Sequence, residues 1–172
     1  TIDPLNHTKS QTYDEVGNVK TSSDGLNNVT TYNYDEFNRL FSVVNAKNET
    51  TSYTYDLNGN MLTQTDGAGY VTTFEYNAAN KVIRKIDHGG RTGTAPNYTY
   101  DAAKTESYTY NADGTLAIKT DRNGETTSYT FDVHGWKLSE EAGSITITYT
   151  YDGNGNQLTM TDGTGTTTRT YD

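Results

Sequence analysis

The sequence predicts an all-β fold, an antiparallel meander of repeated β-hairpins with about 14–16 strands in one strongly curved sheet. Three observations predict it. Tyrosine, or phenylalanine in its place, recurs at Tyr13, Tyr34, Tyr55, Tyr76, Tyr110, Phe131, Tyr151 and Tyr171, in steps of 21, 21, 21, 34, 21, 20 and 20 residues. Glycine or asparagine follows four positions later, at Gly17, Asn38, Gly59, Asn80, Gly114, Gly135 and Gly155. Between these turn residues stand Thr, Tyr, Val and Ile, which are good strand formers. A fixed period of this length means stacked units that bury one another's faces.

The chain opens in the back half of a unit. Asp3, Asn6 and Thr8 precede Tyr13 at the distances by which Asp66, Gly69 and Val71 precede Tyr76. Units then start near residues 13, 34, 55, 76, 110, 131 and 151, in a single array over 1–172. The stretch Thr50–Tyr76, TTSYTYDLNGNMLTQTDGAGYVTTFEY, shows one unit whole: strand, Asn-Gly turn, strand, second turn, return. Asn58-Gly59, Asn123-Gly124 and Asn154-Gly155 are hairpin signals, because Asn and Gly best tolerate positive φ. The second turn is marked by Asp24, Asp66, Asp87, Asp121 and Asp162, eleven positions after the tyrosine, with Asn45 as a variant. Gly69, Gly90, Gly124 and Gly165 follow three residues later, with Asn27 and Asn48 as variants. Tyr53 and Tyr55 share one strand face while Thr54 and Asp56 point the other way. Repeated in every unit, such pairs are expected to stack as aromatic ladders across neighbouring strands.

One stretch breaks phase. Residues 88–109 hold 13 extra residues, including Gly89-Gly90, Gly93 and Pro96. Tyr98-Thr-Tyr100-Asp101 mimics the start of a unit, and Ala102-Ala103-Lys104 is expected to turn the chain straight back into Thr105–Tyr110. A loop plus one shortened hairpin results, and long loops are where binding concentrates.

Leu, Ile, Val and Phe number 26 of 172 residues, about 15 %. That is below the roughly 20 % at which disorder becomes a serious alternative. Fifteen tyrosines and the repeat argue for order instead, in a thin sheet without a thick core. A net charge of −9 opposes binding to nucleic acid or to an anionic membrane surface. No apolar run approaches the ~18 residues that span a bilayer. With no cysteine there is neither a disulfide framework nor a thiolate metal site. Because it opens in mid-repeat and closes on Tyr171-Asp172, the chain is expected to be an excised piece of a larger protein.

Catalysis finds little footing. The histidines are His7, His88 and His134, and no Gly-x-Ser-x-Gly elbow is present. Asp14, Asp35, Asp56, Asp101, Asp132 and Asp152 recur with the turns, which fits capping of turn N–H groups better than a unique acid–base pair. Asp152-Gly-Asn-Gly-Asn156 and Asp56-Leu-Asn-Gly-Asn60 begin like calcium loops. However, Gln157 and Met61 stand where an EF-hand needs glycine, and Gly163 and Gly67 where it needs glutamate. No catalytic, cofactor or metal residue is nominated, and the chain is expected not to be an enzyme. Asn-x-Thr sequons at Asn6, Asn28, Asn48 and Asn97 matter only in a eukaryotic secretory pathway. Tyr53, Tyr55, Tyr98, Tyr100 and Trp136 are candidate glycan contacts, since sugars lay apolar ring faces on aromatic side chains with Asn, Asp and Thr close by.

The phrases TYDEVGNVKTSSDGLNNVTTYNYD and SYTYDLNGNMLTQTDGAGYVTTFEY resemble YD repeats. Such repeats occur in Rhs proteins, bacterial wall-associated proteins, toxin-complex B and C components and teneurins. The resemblance runs over nearly the whole chain. It implies a segment of a spiralling, hollow β-shell that in bacterial members often encloses a C-terminal toxin domain. It also implies a secreted or cell-surface location, with neighbouring repeats, an enclosed toxin domain and cell-wall glycan as partners. Some members have been linked to carbohydrate binding. Two departures stand out. Gly17-Asn18, Gly59-Asn60 and Gly155-Asn156 replace the family's frequent Gly-Arg-Leu, a flavour similar to wall-associated proteins, and nothing matches the shell-closing core segment or its self-cleaving protease motif.

Overall fold

The computed structural model describes residues 8–89, 91–94, 97–100 and 102–171, with 91–94 and 97–100 described as backbone only. Among them are seventeen strands and no helix. The first eight are β1 (Ser10–Tyr13), β2 (Val19–Ser23), β3 (Val29–Tyr34), β4 (Leu40–Val44), β5 (Thr50–Tyr55), β6 (Met61–Thr65), β7 (Val71–Tyr76) and β8 (Val82–His88). Strands β9 (Arg91–Thr94) and β10 (Asn97–Tyr100) follow. The remainder are β11 (Lys104–Tyr110), β12 (Leu116–Thr120), β13 (Thr126–Phe131), β14 (Lys137–Ala142), β15 (Ile145–Tyr151), β16 (Gln157–Asp162) and β17 (Gly165–Thr168). Fifteen strands form one open antiparallel meander in chain order, β1–β8 followed by β11–β17. The chain divides into two compact units, residues 1–80 with 86–103 and residues 81–85 with 104–172.

Both margins of the sheet use the same turn. Where an aspartate follows the tyrosine strand, its Oδ1 accepts the backbone N–H groups two and four residues on: Asp56 takes Asn58 at 2.9 Å and Asn60 at 2.8 Å, whereas in the Asn111 turn Asp113 Oδ1 takes the Thr115 N–H at 2.8 Å. Asp24 does as Asp56 does at the other margin, with Leu26 and Asn28. The residue three on lies in the left-handed region, as at Gly59 (φ 86°) and Asn38 (φ 60°), so Gly and Asn interchange there as expected. Among the described residues the repeated aspartates other than Asp87 are therefore turn caps.

The two 20-residue steps have a separate cause. Ala142 pairs with Ile145 and Asp162 with Gly165, which leaves two-residue loops in place of the boxed return turn. Asp87 departs too: β8 runs through the place of a return turn, and the carboxylate accepts from Thr72 Oγ1 at 2.8 Å.

The sheet has no buried hydrophobic residue among those described, and only Ser42 is buried, at 8 % exposure. Opposite the tyrosines, hydroxyls pair across four of the hairpins: Thr12 with Thr21 at 2.6 Å, Thr54 with Thr63 at 2.7 Å, Thr130 with Ser139 at 2.6 Å, and Thr150 with Thr159 at 2.7 Å. The thin sheet read from composition is what forms.

Two expectations need correction. Tyrosine strands alternate with strands of the other kind, so successive tyrosines stand two strands apart, ~10 Å, too far for rings to touch. Among the described residues, ring contacts join only His134 to Trp136 and Trp136 to Tyr151. Within each compact unit the tyrosines stand on alternate strands without stacking as a ladder. In the insertion, Asn97–Tyr100 pairs with Arg91–Thr94 as a separate two-stranded sheet, so the hairpin forms upstream of the expected Thr105–Tyr110 partner.

Candidate functional site

The feature that recurs with every unit is the seam between one repeat and the next. It starts from an irregularity in the hairpin. Tyr34 pairs with Leu40 but Asn33 with Ser42, so Phe41 is an extra residue on β4. The same one-residue bulge follows Tyr13, Tyr55, Tyr110, Phe131 and Tyr151. A bulge interrupts the ladder and frees a main-chain group.

The next repeat's motif tyrosine takes up that group. Tyr34 Oη donates to the Val19 carbonyl at 3.1 Å, Tyr55 to Leu40 at 2.7 Å and Tyr76 to Met61 at 2.8 Å. Tyr110 reaches Val82 at 2.8 Å, Tyr151 reaches Lys137 at 2.9 Å and Tyr171 reaches Gln157 at 2.9 Å. Val19, Leu40, Met61 and Gln157 are the residues that pair with the preceding repeat's tyrosine, just before the bulge, and Lys137 pairs in the same way with Phe131. The bond holds across the 34-residue step, where Tyr110 and Val82 are 28 residues apart. Phe131 has no hydroxyl to offer, and its seam lacks the bond.

A second contact crosses the seam beside the first. In four repeats the residue after the turn hydrogen-bonds to the next turn on the same margin. Asn18 Nδ2 donates to Asn38 Oδ1 at 3.3 Å, and Asn60 Nδ2 to Asn80 Oδ1 at 2.8 Å. Arg39 donates to the Asp56 carbonyl at 2.9 Å, and Lys81 to the Gly114 carbonyl at 2.8 Å. The cations also lie over the next tyrosine ring, Arg39 at 4.8 Å from Tyr55 and Lys81 at 5.2 Å from Tyr110. Trp136 fills this position in its repeat. It stacks on His134 at 4.8 Å, tilts toward Tyr151 at 5.6 Å and presses on the backbone of Gly155.

The electrostatics serve the same ends. The side-chain amides of Asn28, Asn60 and Asn156, with turn N–H groups adding to them, hold the carboxyls of Asp24, Asp56 and Asp152 below their ordinary values. In the second unit, burial and then a 2.6 Å hydrogen bond to Glu106 push Tyr108 up to about 12. Glu106 also accepts from Arg122 Nε at 2.8 Å.

The residues singled out from sequence are placed unevenly. Tyr55 is half-buried, with its hydroxyl bonded and Arg39 over its ring. Trp136 is enclosed between His134 and Gly155. Tyr53 is half-buried, and its hydroxyl makes no hydrogen bond among the described residues. The side chains of Tyr98 and Tyr100 lie outside the described residues, as does Asp101. A hollow of about 620 Å³ beside β1 and β2 is lined by Lys9, Gln11, Tyr13, Asp24 and Asn28 among others. Its one carboxylate, Asp24, is committed to a turn. No three His, Asp or Glu converge to hold a metal among the described residues.

Sequence reading missed the hydroxyl-to-carbonyl bond, although a signal existed. Seven of the eight motif positions carry Tyr and one carries Phe, a preference that burial of a ring does not require.

Comparison with known proteins agrees with this geometry. No curated relative matches the chain. A crystal structure of TcdB2-TccC3-Cdc42 superposes with a TM-score of 0.72 at 17 % identity, over 95 % of this chain and 10 % of that one. TcdB2-TccC3 without its hypervariable C-terminal region gives 0.72 at 19 % identity, over 95 % and 9 %. The Photorhabdus luminescens Tc holotoxin pore with the TccC3 mutation D651A gives 0.69 at 18 %, over 91 % and 9 %. The chain thus spans about a tenth of the length of these chains, and it shares their fold. The model of the Teneurin YD-shell family matches residues 5–172, and the chain belongs to that family.

Proposed function

We propose that this chain is a length of shell wall, a non-catalytic segment of a large secreted or surface-displayed bacterial protein whose repeats enclose or present a C-terminal effector domain. The observation that carries this reading is the seam. A wall one sheet thick has no core, so each repeat has to be held by its neighbours. The motif tyrosines do this by capping bulge carbonyls, and the residues after the boxed turns do it from turn to turn. Polar groups that could serve a ligand are largely spent on these contacts. On this reading the partners are further repeats of the same kind and an effector carried in the same polypeptide.

Cryo-electron microscopy of the complete polypeptide that carries this chain tests the proposal. A closed wall with additional density inside it is the expected result. An open sheet with the effector domain outside would overturn it. Binding of the folded chain to purified cell-wall glycan is the companion measurement. Saturable binding that disappears in a folded Tyr53→Ala variant would make the segment a glycan-binding module instead.

A further inference from the structure

Three Asn-Gly dipeptides stand at the tips of boxed turns: Asn58-Gly59, Asn123-Gly124 and Asn154-Gly155. Each is a potential site of succinimide chemistry. The glycine nitrogen attacks the asparagine Cγ and closes a five-membered ring. The side-chain nitrogen leaves as ammonia, carrying off the proton lost by the glycine nitrogen. Water then opens the ring at either carbonyl, giving aspartate or isoaspartate. The step needs a glycine N–H released from its hydrogen bond, an asparagine amide free to swing round, and room for the glycine backbone to shift.

The first requirement is alike in all three turns. Gly59, Gly124 and Gly155 donate to the carbonyls of Asp56, Asp121 and Asp152 at 3.2, 3.1 and 3.1 Å. The other two requirements separate them. Asn58 Nδ2 donates to Asn80 Oδ1 at 3.4 Å, a tether that ring closure has to break. The side-chain amides of Asn123 and Asn154 make no hydrogen bond among the described residues, where only their backbone N–H groups are engaged. Around Gly59 and Gly124 there is nothing within 4 Å of the place a Cβ would occupy, whereas at Gly155 three atoms of the Trp136 indole lie 2.8–3.1 Å from it.

We infer that Asn123 is the favoured site of deamidation in the folded chain, that Asn58 follows it, and that Trp136 shields Asn154. The product matters to the fold. Isoaspartate at 123 lengthens the main chain within the turn that Asp121 boxes through the N–H groups of Asn123 and Glu125. The modification therefore loosens the return between β12 and β13 and adds negative charge to a chain already at −9.

Peptide mapping by mass spectrometry after incubation at mildly alkaline pH tests this, with each rate divided by the rate of the same site in denaturant. In the folded chain, Asn123 should convert about five-fold faster than Asn58, the factor one hydrogen bond sets. Asn154 should be the slowest of the three. Equal normalised rates, or Asn154 as fast as Asn123, would overturn the inference. Trp136→Ala should accelerate Asn154 alone. If that variant fails to fold, all three sites rise to their denatured rates and the wild-type ranking still decides.

Discussion

The two units of this chain build the same hairpin and hold it together differently. In the first, Tyr34, Tyr55 and Tyr76 all cap a carbonyl of the preceding repeat, and the boxed return turns at Asp24, Asn45 and Asp66 are complete. The residues opposite its second tyrosine column are neutral: Val43 faces Tyr32 and Gln64 faces Tyr53. In the second unit Phe131 omits the cap, and two of the return turns shrink to two residues. Lys119 and Glu140 stand opposite Tyr108 and Tyr129, and ion pairs join Arg122 to Glu106 and Lys137 to Glu140. The difference teaches that backbone geometry defines the repeat, while the side-chain chemistry of the seam is free to vary.

The largest expected effect comes from the turn that Trp136 covers. Gly155→Ala meets two penalties at once, a left-handed φ of 86° and a Cβ placed 2.8 Å from the indole. It should destabilise the chain by about 3 kcal/mol. Gly59→Ala in the first unit has the same φ and nothing near its Cβ, so about 1 kcal/mol is expected. Denaturant midpoints of the two variants check this, and equal losses would mean that Trp136 does not bear on Gly155.

Moving the hydroxyl between units has a smaller effect and the opposite sign in each. Tyr76→Phe removes the bond to Met61 and should cost about 1 kcal/mol. Phe131→Tyr places a hydroxyl where the repeat pattern puts the Leu116 carbonyl, 15 residues back, and should return a similar amount. Urea unfolding of both variants measures it. If Phe131→Tyr is neutral, the second unit's seam has a geometry of its own.

Much of the fold was legible because its determinants are local. Asn and Gly exchange at residues 38, 59 and 80 since each supplies positive φ, and Asp recurs where two N–H groups need an acceptor. The candidate site was less legible. A bulge is a backbone irregularity: of its six extra residues Phe41, Leu62, Ala117, Leu138 and Leu158 are apolar and Lys20 is not, and an apolar residue in a strand sequence does not announce a bulge. The bridging residues Asn18, Arg39, Asn60, Lys81 and Trp136 are unlike one another. What they share is a position, two strands from the next turn. Spacing alone cannot show that a side chain reaches across it. The aromatic ladder failed for a related reason: period-two alternation along a strand says which face a ring takes, and says nothing of the strand that lies between two rings.

The smallest effect expected on stability carries the sharpest spectroscopic signal. Tyr108 is pushed up to about 12, first by burial and then by the Glu106 carboxylate that accepts its proton. Because the folded value lies above the ordinary tyrosine value, this group's contribution to stability is complete below pH ~10. It fades as pH rises through about 12. Glu106→Gln keeps an acceptor for the hydroxyl but removes the negative charge that opposes phenolate formation. Tyr108 should then titrate lower, though still above an ordinary tyrosine because its burial is unchanged. Stability near neutral pH should fall by less than about 1 kcal/mol, since the partner Arg122 is largely exposed. Ultraviolet absorbance of the phenolate across an alkaline titration follows the change directly. A Tyr108 titration that does not move would leave burial as the whole cause, and the charged tyrosine face of the second unit would then differ from the first in composition but not in electrostatic effect.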